Sequence, residues 1–250
     1  MNARIDHETG QDPLAALRRR FAGGVLTEAP PAVAPLGVAA IDAALPWGGL
    51  PRGAVHEIAG AAKDGAATGF CAVLLARLSA DGRPVLWVAE DDDLYAPGLA
   101  AFGLSPNRLI VARARRAVEV FWTIEEALRC KGLAAVLGEV RAPTRTVARR
   151  FQLVARNSGV TALLLRRTGE EPTANAVTRW RLSAARSQSP AAEDDVIPRW
   201  HVALVRCRGR IHGEDGDVER WLVEWRRATG DLAVAAELRD GSDSARVRTG

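Results

Sequence analysis

Residues 57–70 read EIAGAAKDGAATGF and lie between two apolar segments. Gly60 and Gly65 stand five apart, which is the glycine spacing of the phosphate-binding loop G-x-x-x-x-G-K-[ST]. That loop demands a lysine next, whose ammonium neutralises the β- and γ-phosphates. It then demands a hydroxyl residue to hold the bridging Mg²⁺. This chain has Ala66 and Ala67 at those positions. Without the lysine a triphosphate meets only backbone dipoles, and without the hydroxyl Mg²⁺ loses a protein ligand. ATP and Mg²⁺ are therefore not expected as cofactors. Lys63 lies inside the loop, three residues before the place where the pattern wants it. Two readings stay open: a tight strand-to-helix turn, or a degenerate loop that keeps some affinity for anions.

The flanking sequence decides the fold class. Ala54–Ala59 reads as a strand entering the loop, and TGFCAVLLARLSA (68–80) as a buried helix. PVLWVAE (84–90), RLIVARA (108–114), LAAVLGEV (133–140) and VTALLLRR (160–167) are short, nearly continuous apolar strands, the form found inside parallel sheets. Helical segments near 94–103, over 118–130 and over 144–159 alternate with them. The pattern predicts an α/β domain with a central, mostly parallel sheet flanked by helices and joined by right-handed crossovers. Farther on, TRWRLSAARS, RWHVALVRCRGR and RWLVEWRRA read as a C-terminal antiparallel extension. Its tryptophans at 180, 200, 221 and 225 fit core packing better than base stacking.

Three regions follow. Residues 1–35 hold an amphipathic helix over 11–22, with Asp12 as cap and Pro13 in the first turn, and then a Gly/Ala/Pro-rich linker. Residues 36–240 form the core domain, and 241–250 a disordered tail.

Hydrophobic content of 48% and charged content of 26% are those of ordinary globular proteins. No apolar run approaches the ~20 residues of a membrane helix, and the N-terminus lacks a hydrophobic signal core. A cytoplasmic protein without membrane contact is expected. Cys71, Cys130 and Cys207 are scattered and odd in number, so they are expected as small buried hydrophobes. The four histidines show no metal-ligand spacing, so no metal is expected.

The positive charge is uneven. From Arg141 to Arg186 there are ten arginines against Glu170 and Glu171, a local balance of +8. Such a field suits an acidic protein surface or a phosphate backbone. Arg145, Arg149 and Arg156 fall at i, i+4 and i+11 of the predicted helix and share one side, which Arg150 extends. Val147, Phe151 and Val154 face other angles and serve the core.

LGVAAIDAALPWGGLPRGAVHEIAG (36–60) resembles the entry to the RecA recombinase core, where a helix, a Gly-Gly-Leu-Pro turn and a strand lead into the phosphate loop. PVLWVAEDDDLYAPGLAAFGLSPNRLIV (84–111) resembles the next RecA segment, and NAVTRWRLSAARS (175–187) the segment after its second DNA loop. By that resemblance Glu90 occupies the place of the glutamate that activates water. Glu139 falls near the Walker B aspartate, with Gly138 leaving the register open by one. Both are vestigial candidates only. The second DNA loop, RRTGEEPTANAV, is short and acidic, which argues against a RecA-type DNA groove and strand exchange.

With the degenerate loop, the GEV strand end and the Arg-rich helix, the chain is similar to the ImuA family over roughly residues 36–236. This implies work in DNA-damage-induced (SOS) mutagenesis and translesion synthesis. The implied companions are ImuB, a polymerase-like protein lacking catalytic residues, and an error-prone polymerase of the replicative class. The division inhibitor SulA is a more distant relative. The expectation is thus a non-catalytic RecA-like adaptor that binds ImuB, with RecA and that polymerase as further candidate partners. Arg145, Arg149, Arg150 and Arg156 would contact a partner or, non-specifically, DNA, and the N-terminal helix would serve self-association or partner binding. The competing readings are a weak divergent ATPase acting with DNA, and a SulA-like inhibitor of a polymerising protein.

Overall fold

The computed structural model describes residues 31–61, 65–89, 94–141, 143–167, 169, 172, 175–188, 197–209 and 218–238. Lys63, Glu90, Glu170, Glu171, the predicted helix over 11–22 and the C-terminal tail lie outside these residues.

Strand β1 (Val33–Ala34), at the end of the segment read as linker, pairs antiparallel with β2 (Leu50–Pro51). Between them runs the short helix α1 (Ala39–Ala44), whose Ile41 is fully buried. Strand β3 (Val55–Gly60) is buried at every position and feeds the loop, and α2 (Ala66–Leu78) leaves it. Then come β4 (Val85–Ala89), α3 (Ala96–Ala100), β5 (Leu109–Arg113), α4 (Ala117–Arg129) and β6 (Ala135–Glu139). Helix α5 (Arg145–Ser158) precedes β7 (Thr161–Arg167). The chain closes with β8 (Thr178–Gln188), β9 (Ile197–Cys207), β10 (Glu219–Arg226) and β11 (Asp231–Leu238).

Nine of these strands form one sheet in the order β11-β10-β9-β8-β3-β7-β6-β4-β5. From β8 to β5 every neighbouring pair is parallel; from β8 outward to β11 every pair is antiparallel. The expected α/β architecture is present, with one refinement. TRWRLSAARS is the hinge between the two halves, parallel to β3 on one side and antiparallel to β9 on the other.

Strand periodicity divides the core between the two faces of the sheet. On one face α2 packs Phe70, Leu74 and Leu75 against Ile58, Trp87 and Leu137, and this core continues through Trp180, Trp200, Trp221 and Trp225. All four of those tryptophans are buried, in agreement with the core assignment. On the other face α4 and α5 bring Val120, Ile124, Phe151 and Ala155 onto Val55, Val136 and Leu164. Gly138 is required here, because a Cβ would come within 2.2 Å of the Ile124 Cδ1. Cys71 and Cys207 are buried as expected, but Cys130 is exposed, since it is the residue that ends α4.

Candidate functional site

The strand–loop–helix junction is close-packed. A Cβ on Gly60 would lie 2.4 Å from the Ala67 Cβ, so the start of α2 rests directly on the end of β3. Gly65 caps α2 with φ of 64°, a left-handed conformation that glycine adopts at least cost. Each glycine of the loop pattern thus has a packing or conformational reason of its own. Ala66 and Ala67 are 0% and 4% exposed, so the positions that would carry the ammonium and the hydroxyl present two enclosed methyl groups. Thr68 follows one residue late, roughly 100° around the helix. Among the described residues, the donor set for a Mg²⁺–triphosphate does not fit.

Glu139 ends β6 and lies on the α2 face, while Gly138 faces α4; this fixes the register that the sequence left open. Its carboxylate accepts a hydrogen bond from the Trp87 indole at 2.7 Å. The buried Cys71 thiol lies close enough that burial, and then the Glu139 charge, push its pKa up. Glu139 is thus tied to β4 through Trp87 and lies near the start of α2.

Two buried polar clusters flank the loop strand, and both involve residues that the sequence reading left unassigned. His56 is fully buried. Its Nε2–H donates to the Pro51 carbonyl at 2.9 Å, and its Nδ1 accepts from the Thr178 hydroxyl at 2.8 Å. Thr178 Oγ1 accepts in turn from the Trp180 indole. Burial lowers the His56 pKa to about 4, so the ring stays neutral and ties β2, β3 and β8 together. One residue on, and on the opposite face, the fully buried Glu57 pairs with Arg166 at 2.8 Å and Arg179 at 3.1 Å. Two guanidinia share one carboxylate, and Arg166 Nε and Nη1 find no hydrogen-bond partner among the described residues. The signal was legible in part: a lone glutamate in a six-residue apolar strand needs a cation.

The four arginines of the predicted basic helix all lie on α5 and all are exposed. Thr144 caps the helix, its hydroxyl accepting from the Val147 N–H at 3.3 Å. As expected, Phe151 is fully buried and Val147 and Val154 pack beside it. Arg150, however, pairs with Glu125 of α4, which also takes Arg129 at 2.7 Å. That arginine therefore clamps the helix pair. Arg145 and Arg149 have no partner among the described residues.

Beside them lies a feature absent from the sequence reading. Val118 and Trp122 are 65% and 67% exposed and Leu153 is 49% exposed. Val118, Trp122, Glu125 and Arg129 form one stripe of α4 at i, i+4, i+7 and i+11, and Glu125 is where that stripe meets α5. Leu153 is three residues beyond Arg150 on α5. The helix pair thus presents apolar side chains bordered by arginines.

No protein-family model matches the chain. Among solved structures it is similar to a KaiC-like protein from the hyperthermophilic archaeon Pyrococcus horikoshii OT3. The TM-score is 0.56 at 14% identity, over 83% of this chain and 100% of that one, which establishes the RecA-like fold alone. Two curated relatives, each named Protein ImuA and each from a strain of Caulobacter vibrioides, are 38% identical over 220 residues. The match spans 81% of this chain and 87% of theirs. The chain belongs to the ImuA family.

Proposed function

We propose that this chain is a non-catalytic, cytoplasmic adaptor of DNA-damage-induced mutagenesis, a RecA-like fold retained for its surfaces. The buried methyls of Ala66 and Ala67, where phosphate chemistry needs an ammonium and a hydroxyl, support the loss of ATP turnover. The observation that carries the adaptor reading is the α4–α5 surface. Val118 and Trp122 stand exposed on α4 on one stripe with Arg129, and Leu153 stands exposed on α5 one turn beyond Arg149. A tryptophan with neighbouring arginines is the composition of binding hot spots. It fits an acidic segment that brings an apolar side chain of its own.

The proposed occupant is ImuB, the companion implied by family membership. Co-purification tests this directly. Trp122→Ala and Arg149→Glu should each weaken retention of ImuB by at least the ~30-fold that corresponds to a ~2 kcal/mol hot spot, with unchanged thermal unfolding. Full retention by both variants would refute this surface. Loss of RecA retention with ImuB unaffected would assign the surface to RecA instead.

A further inference from the structure

The β8–β10 half of the sheet has two unlike faces. The inner one carries the tryptophan core. The outer one carries several arginines, and among the described residues none of the large exposed hydrophobics lies on it.

Cross-strand register explains its shape. Arg181 of β8 stands opposite Ala203 of β9, and Ala203 opposite Arg220 of β10. With strands roughly 4.8 Å apart, the two arginine backbones flank the small alanine at about 10 Å. The result is a groove of about 380 Å³, with Ser183 and His201 along its side and Ala61, just past β3, at its end. Ser183 and His201 are themselves register partners in the next row. On the other side, Arg179 stands opposite Arg206. That pair lies across a register shift, while the row of Ser183 and His201 continues to Leu222 and the next sets Arg199 against Glu224. Arg181, Ser183 and His201 are exposed. Beneath Arg179 lies the cluster in which Arg166 and Arg179 share Glu57.

We propose that this outer face binds the sugar–phosphate backbone of single-stranded nucleic acid, with a phosphate seated between Arg181 and Arg220. Cationic side chains in rows, a hydroxyl and an imidazole are donors for phosphate oxygens. Without exposed apolar anchors the face lacks what a protein partner would use for affinity. A groove one alanine wide receives a single strand rather than a duplex. The tryptophans of β8–β10 point to the opposite face, so no base stacks here and binding is independent of sequence. This surface is separate from the α4–α5 surface, and each can fail without the other.

The test is fluorescence anisotropy of the full chain with a labelled single-stranded deoxyoligonucleotide of mixed sequence, titrated across salt. Wild type should bind with an affinity that falls as salt rises. Arg181→Glu/Arg220→Glu should weaken binding at least tenfold. The milder Arg181→Ala/Arg220→Ala pair, which adds no like charge, should reduce the salt slope by about 0.7 per arginine. The proposal is overturned if wild type does not retain the oligonucleotide at low salt, or if the two groove variants bind as wild type does. It is equally overturned if a duplex of the same sequence binds more tightly than the single strand.

Discussion

The buried histidine makes stability depend on pH in a window where few other groups titrate. His56 has an ordinary pKa of 6.5 in the unfolded chain and one of about 4 in the fold, because burial opposes its charge. Protons thus bind the unfolded chain first. The contribution of this ring is complete above pH 6.5 and is lost as pH falls toward 4. At about pH 5 the unfolded imidazole is almost wholly protonated and the folded one almost wholly neutral, which costs about 2 kcal/mol relative to pH 7. Asp81, Glu119, Glu125 and Glu224 also have pKa values held below normal, each with arginine partners. Their contributions begin to be lost only as pH falls into the carboxylate range, so the interval from about pH 6.5 to 5 reports mainly on His56. Urea unfolding followed by tryptophan fluorescence should show the midpoint falling by about 1 M between pH 7 and pH 5, at a slope of about 2 kcal/mol per M. His56→Gln cannot titrate, and its midpoint should stay flat over that interval even though its stability at pH 7 is lower. An equal fall in wild type and variant would refute the assignment.

Three further outcomes are expected. Gly138→Ala should destabilise by about 1–3 kcal/mol through collision with Ile124, and Ile124→Ala in the same chain should recover part of that loss. Equilibrium unfolding of the single and double variants measures it. Glu57→Gln leaves Arg166 and Arg179 without their shared carboxylate and should cost about 3–5 kcal/mol, read as a fall of roughly 10 °C in thermal midpoint. A loss below about 1 kcal/mol would mean that the arginines find other anions. The purified protein should release no phosphate from Mg-ATP above the level of Glu139→Gln. A burst of turnover that this substitution abolishes would end the non-catalytic reading.

The strands that are buried on both faces, such as VLWVA and AVLGE, were legible because their apolar runs are too short for helices and are bounded by turns. β11 was not recognised as a strand: DLAVAAEL is alanine-rich, and its pairing with β10 comes from the tight turn before it rather than from its own propensity. The exposure of Val118 and Trp122 was also hidden. Their i, i+4 spacing looks like a core pair, but the buried stripe of α4 is Val120, Ile124 and Leu128, and Val118 and Trp122 lie roughly 120–160° around the helix from it. The same packing removes Arg150 from the free basic face, because the distance to Glu125 is a tertiary quantity. By contrast the degeneracy of the loop was plain in two letters, Ala66 and Ala67. What the letters could not say is that Ala67 lies against Gly60, so that the missing chemistry is also sterically filled.

The sheet order has a consequence for synthesis. β3 leaves the ribosome early yet occupies the middle of the sheet, between β7 and β8. Its histidine and glutamate wait for partners 122 and 109 residues downstream. At about 5–20 residues per second, that wait lasts of the order of 5–20 s, during which an otherwise apolar strand with two unanswered polar groups is solvated or held by a chaperone. Neighbouring pairs such as β4–β5 close long before the centre does. A ribosome stalled before Thr178 would therefore carry a nascent chain whose flank can pair and whose middle cannot, and such truncated chains are the ones that proteases and aggregation should claim.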